Sequence, residues 1–139
     1  MKVFVDANLL IYLNTVAEPS ERMLYDDYYV KLVMESRAYT DALVIDELLF
    51  ISRRKYNVPY EVTLELIESV VKPYVTILPI GEEELDQALN VIRRYGLKPS
   101  DAIHVGVMRV NGLDVIVSED RKFDGIEGVR RIWMGKEGQ

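Results

Sequence analysis

Apolar residues in this chain fall into two alternating patterns, short unbroken runs and longer stretches at helical spacing. Val3-Phe4-Val5 is a run of the first kind, suited to a central parallel strand because such a strand is covered on both faces. Residues 8–14 then predict a helix with Asn8 as its cap. Glu18-Pro19-Ser20 marks a loop, and a second helix is predicted over 21–37. Its apolar side chains, among them Met23, Leu24, Tyr25, Tyr28, Tyr29 and Val30, go nearly round the whole circumference, more than one core-facing stripe requires.

The run Leu43-Val44-Ile45 predicts the next strand, followed at Asp46-Glu47 by a helix to about residue 56. Further helices are predicted over 60–72, 82–95 and 99–111. Gly96 stops the second of these and Ser100 caps the third. Val75-Thr76-Ile77-Leu78, Val115-Ile116-Val117 and Arg131-Ile132-Trp133 complete the predicted strands. Strands alternating with helices predict an α/β fold of three layers, α/β/α, around a central, mainly parallel sheet. Residues 1–134 are expected to form one domain, and 135–139 a polar, frayed tail.

Composition narrows the chemistry. With no Cys and one His among 139 residues, a disulfide framework, thiolate-ligated zinc, an iron–sulfur cluster and a thiolate nucleophile are excluded. Carboxylates must then carry most of any reaction. The formal charge of −6 lacks the overall basic footprint of a nonspecific nucleic-acid binder, although it leaves room for a local basic patch. No stretch approaches the roughly 18 apolar residues of a membrane span, and an acid follows only three apolar residues at the N-terminus. A cytoplasmic location is expected.

Four acids occupy equivalent places in the predicted elements. Asp6 ends the first strand, Glu47 and Asp101 begin helices, and Asp120 follows Val115-Ile116-Val117. In an open parallel sheet such positions converge on the crevice at the strands' carboxyl ends. Gathered carboxylates repel unless a cation is present, and hard oxygen donors without His or Cys suit Mg2+ or Mn2+. Such a site suits phosphodiester hydrolysis. Taken singly, Glu47 and Asp101 are also what helix N-termini favour for dipole reasons alone.

These residues resemble the motifs of the PIN domain family. Val3-Phe4-Val5-Asp6-Ala7-Asn8-Leu9-Leu10-Ile11-Tyr12 is similar to its opening motif, and Asp46-Glu47-Leu48 to its second acidic position. Pro99-Ser100-Asp101-Ala102-Ile103-His104-Val105 resembles the third motif, and Val115 through Asp124 the fourth. The resemblance implies a metal-dependent single-strand endoribonuclease, most often the toxin of a VapBC-type toxin–antitoxin pair. It also implies Asp6, Glu47, Asp101 and Asp120 as metal-coordinating acids, with RNA as substrate, an antitoxin as partner and a homodimer as the assembly. Asn8 and Ser118 stand where the family has polar residues that orient the first and fourth acids; Ser118 replaces the commoner Thr and keeps the hydroxyl. Asp124 either supports the acids from behind or is a surface residue.

Other residues have two readings. His104 either touches substrate or is a satisfied structural histidine. Arg53-Arg54-Lys55 and Arg93-Arg94 are explained as charged helix ends, whereas Arg121 and Lys122, beside Asp120, are candidates for RNA phosphate contacts. The Tyr-rich helix suits a partner surface, to be covered by an antitoxin or a second protomer. Two other enzyme classes fit poorly. A haloacid dehalogenase-like phosphatase needs an acid where Asn8 stands, and a phosphoreceiver needs an acidic pair after the first strand. A catalytically silent scaffold in RNA processing is the non-enzyme alternative, and the presence of all four acids argues against it.

Overall fold

Val3, Phe4 and Val5 are fully buried, and the rest of the fold is layered around them. The computed structural model describes residues 1–137. Along these run β1 (Lys2–Val5), α1 (Ala7–Thr15), α2 (Pro19–Glu35), β2 (Arg37–Asp41), α3 (Ala42–Tyr56) and α4 (Tyr60–Leu66). There follow β3 (Val75–Leu78), α5 (Glu82–Tyr95), α6 (Pro99–Val110), β4 (Val115–Val117), β5 (Arg130–Trp133) and β6 (Lys136–Glu137). The strands make one sheet in the order β3-β2-β1-β4-β5-β6. The pairings from β3 through β5 are parallel, and β6 is antiparallel to β5. Six helices flank the sheet, so the expected three-layer α/β/α architecture is present. Val3–Val5 of β1 and the whole of β4 are apolar because these central stretches are covered on both faces. No helix among the described residues is long and apolar enough to cross a membrane.

The expected strand at Leu43-Val44-Ile45 is absent; those residues lie in the first turns of α3, and the strand is β2, just before them. The reason is local. Asp41 ends β2 and its side chain accepts from Val44 N–H at 3.1 Å, so the apolar run is turned into a helix by the cap in front of it. A three-residue apolar run has no periodicity to separate strand from buried helix. Glu47 therefore sits within α3 rather than at its start.

Other boundaries shift for similar reasons. Asp6, not Asn8, caps α1, and α2 starts early because Pro19 is tolerated in a first turn and Glu18 accepts from Ser20 N–H and Glu21 N–H. Lys98 occupies the cap position of α6, with Pro99 and Ser100 already inside the helix. The predicted helix over 60–72 is α4 continued by a wider π turn at Ile67–Val71, where Lys72 N–H donates to Ile67 O at 2.9 Å. Within the expected 135–139 tail, Lys136–Glu137 pairs antiparallel with β5, and residues 138 and 139 lie outside the described residues.

Helices α5 and α6 pack against each other through Gly106. A Cβ placed there would lie 2.4 Å from Glu84 O and 3.0 Å from Ala88 N, both backbone atoms of α5. Ala is intrinsically the better helix former by about 1 kcal/mol, but a clash with backbone cannot be relieved by a rotamer change. Gly106→Ala is predicted to lower the unfolding free energy by about 1–3 kcal/mol in urea titrations. Equal or higher stability would contradict this packing.

Candidate active site

The strand order reverses at β1, with β2 and β3 laid down on one side and β4 and β5 later on the other. In open α/β sheets the carboxyl ends of the strands at such a reversal border a crevice. Asp6 follows β1 and Ser118 follows β4 across this gap. Asp6 N–H donates to Val117 O at 3.0 Å and Ser118 N–H to Ile132 O at 3.1 Å, so both residues are fixed by sheet bonding. The Ser118 hydroxyl, fully buried, donates its proton to Asp6 Oδ2 at 2.7 Å and accepts from Asp120 N–H at 3.0 Å. Asn8 Oδ1 accepts from Glu119 N–H at 3.1 Å, with the Ser118 hydroxyl at a longer 3.3 Å. Asn8 thus anchors the 118–120 loop instead of capping α1.

All four acids read from the sequence border this crevice, but their surroundings differ. Asp6 is buried and its Oδ1 accepts from Ala7 N–H at 2.8 Å. Burial holds its carboxyl above the usual range, and Asp101 adds to the rise; His104, Ser118 and the Ala7 amide oppose it. Half-buried Glu47 is also raised, first by burial and then by the charges of Asp6 and Asp101, with Lys98 and His104 opposing. Asp101, in the first turn of α6, is buried too, and among the described residues its Oδ2 has no polar partner besides the Lys122 ammonium. Asp120 is half-buried and caps a short 3-10 turn, Arg121–Phe123, accepting from Lys122 N–H at 2.9 Å. The charge of Asp101 therefore reaches Asp6 and Glu47, that of Asp6 reaches Glu47, and hydrogen bonds through Ser118 connect Asp120 to Asp6. Among the described residues, no three His, Cys, Asp or Glu side chains are grouped tightly enough to hold an ion as placed.

An imidazole and an ammonium sit among these acids. His104 is buried, with Nδ1 2.7 Å from Asp41 Oδ2 and Nε2 4.0 Å from Asp6 Oδ1. Burial pulls its pKa down, but the bond to Asp41 and the charges of Asp41, Asp6 and Asp101 outweigh that and leave it raised. The histidine is thus satisfied structurally, the blander of its two readings. The ammonium is Lys122 Nζ, 3.1 Å from both Asp101 Oδ2 and Asp120 Oδ2.

Asp41 is the residue that sequence reasoning missed. Fully buried, it caps α3 through Oδ1 and holds His104 through Oδ2. An acid just before the apolar stretch from Ala42 to Ile45 was the available signal, since Asp in that place is a helix cap. Next to it, Thr40 Oγ1 donates to Val5 O at 2.8 Å and ties the end of β2 to the end of β1. Asp124 engages Arg131 at 2.9 and 3.2 Å, and Arg131 also donates to Ser118 O at 3.0 Å. It therefore acts on the crevice through the backbone of Ser118. Arg121 is exposed beside Asp120. The remaining basic clusters lie in the last turns of α3 and α5, and Arg94 pairs with Glu127 at 3.0 Å.

The sequence matches the PIN domain family over residues 3–129. It is 27% identical over 139 residues to a VapC ribonuclease of Mycobacterium bovis and, to the same degree, to ribonuclease VapC13 of Mycobacterium tuberculosis, covering 94% of this chain and 98% of each relative. Among solved structures it resembles VapBC2 from Rickettsia felis bound to a promoter DNA fragment, with a TM-score of 0.70 at 14% identity, covering 96% of this chain and 98% of the other. VapBC-1 from nontypeable Haemophilus influenzae gives a TM-score of 0.69 at 17% identity, covering 98% and 100%. At such identities the structural likeness establishes the shared fold.

The hydroxyl of Ser118 is the joint between the two loops that carry Asp6 and Asp120. Ser118→Ala leaves a buried carboxylate oxygen and an amide without that partner, and is predicted to cost about 1–3 kcal/mol in chemical unfolding. A loss near zero would show that the joint is dispensable.

Proposed function

The chain belongs to the PIN domain family, and from that premise we propose that it is a divalent-metal-dependent endoribonuclease that hydrolyses single-stranded RNA as the toxin of a VapBC-type toxin–antitoxin pair. The observation that carries the reading is the gathering of carboxylates around Asp6 and Asp101, with Asp6 and Glu47 held above their ordinary range by burial and mutual repulsion. The names of the curated relatives support a ribonuclease, and the toxin–antitoxin complexes among the structural neighbours support an antitoxin partner.

The residues suit a hard cation in type. Asp6, Glu47, Asp101 and Asp120 offer oxygen donors only, as Mg2+ or Mn2+ prefers, and the buried Asp101 Oδ2 already faces a cation, the Lys122 ammonium at 3.1 Å. A bound divalent ion supplies a lowered pKa for attacking water and charge compensation for the phosphate. The chain's own residues supply position. Ser118 fixes the rotamer of Asp6, Asn8 holds the 118–120 loop, and Asp124 with Arg131 braces that loop from behind. The buried Asp41–His104 pair stands against Asp6 and limits how much negative charge that side of the crevice carries uncompensated.

Arg121, exposed next to Asp120, is placed to meet an RNA phosphate, and Lys122 is its neighbour. Because contact with phosphates depends on local charge, the overall acidity of the chain does not oppose it. Along α2, Met23, Leu24, Val30 and Met34 are exposed, while Tyr29 and Leu32 face the core. These outward apolar side chains give an antitoxin or a second protomer of a homodimer a surface to cover.

Asp6→Asn and Asp101→Asn are each predicted to slow cleavage of a single-stranded RNA oligonucleotide by about a hundredfold or more, because each removes a carboxylate that would hold the metal. Asp6→Asn should keep its melting temperature or gain, since a carboxyl whose pKa is raised in the folded state opposes folding when ionised. Full RNA cleavage by the double variant would end this reading.

A further inference from the structure

A cation already stands between two of the four acids. Lys122 Nζ lies 3.1 Å from Asp101 Oδ2, on α6, and 3.1 Å from Asp120 Oδ2, in the loop after β4. One ammonium therefore bridges the start of α6 and the loop that follows the next strand. Its charge is what compensates the buried Asp101 Oδ2, which has no other hydrogen-bond partner among the described residues. The lysine is also anchored from its own backbone, whose N–H donates to Asp120 Oδ1 at 2.9 Å. Side-chain and backbone contacts thus use both oxygens of Asp120.

We propose that Lys122 is a built-in counter-ion that holds Asp101 and Asp120 together before a divalent cation binds, and that the cation must displace its ammonium to reach them. The inference rests on the reading of the acids as a metal site. Its steric basis is simple: a small divalent ion needs carboxylate oxygens at about 2.0–2.1 Å, so it cannot share the gap with an ammonium in contact with both carboxylates. Displacement is feasible because Lys carries a point charge on a flexible four-carbon stem. Its side chain is already 49% exposed, so it swings into solvent without crossing the core. Its contact with Asp120, partly exposed on both sides, is also weakly held. Lys122 thereby keeps the metal-free site from pushing its acids apart and sets metal affinity below what the carboxylates alone would give. Once released, the ammonium is free to pair with an incoming phosphate.

Calorimetric titration of Mn2+ into the wild-type protein, Lys122→Met and Arg121→Met tests this. Loss of the competing charge in Lys122→Met should tighten the Mn2+ dissociation constant by about tenfold. Arg121→Met, which removes an exposed neighbouring charge, should change it by no more than about twofold. Equal or weaker binding by Lys122→Met than by wild type overturns the role of Lys122 and leaves the metal site standing. No binding by either protein at millimolar Mn2+ overturns both. The wild type gives an independent readout if the variant misfolds. With 13C-labelled lysine, the Lys122 ε-methylene resonance should shift on Mg2+ addition with the same midpoint as the Asp101 and Asp120 amides. A resonance that stays fixed while those amides move overturns the displacement.

Discussion

At the carboxyl edge of β1 the fold collects negative charge faster than it neutralises it, and the local structure follows from that imbalance. Asp6 and Asp101 are both buried, Glu47 is half-buried nearby, and Asp41 is fully buried one strand away. Each would be costly without a partner, since transferring an unpaired charge out of water is among the least favourable events in folding. The compensations come from several sources: the first-turn amide of α1, the Ser118 hydroxyl, His104 between Asp41 and Asp6, and Lys122 between Asp101 and Asp120. Together they keep the cluster folded but still leave Asp6 and Glu47 raised.

The sheet order makes this arrangement possible. Because β1 lies between β2 and β4, it brings the ends of three strands to one place, and each strand end delivers a polar residue there: Asp6, Asp41 and Ser118. The apolar interior of β1 and β4 fixes the register, so the polar residues just beyond cannot slip inward. Asn8 and Ser118 then join loops more than a hundred residues apart in the chain.

The layers and three of the acids were legible because they depend on order along the chain. Apolar runs separated by helical periodicity specify a parallel sheet, and acids after strands or at helix starts specify its carboxyl edge. Glu47 was also identified, although its place within α3 was not. What stayed hidden depends on contacts between distant residues or on a cap overriding a run. Leu43-Val44-Ile45 looks like a strand until Asp41 is seen to cap the helix that contains it. Asp41 itself was overlooked because its partner His104 is 63 positions away, and no spacing rule connects the two. Lys122 reads from the sequence as a phosphate-binding side chain; only the fold reveals Asp101 on its other side. The formal charge of −6 was the least informative number, because it averages over a surface on which position decides the chemistry.

Anomalous diffraction from crystals soaked in Mn2+ tests the central claim most directly. A strong anomalous peak is expected in the crevice between β1 and β4, ligated by oxygens of Asp6 and Asp101, with Glu47 and Asp120 completing its surroundings directly or through water. A saturating soak that leaves this crevice without a peak, or places the metal only on surface carboxylates elsewhere, would contradict it.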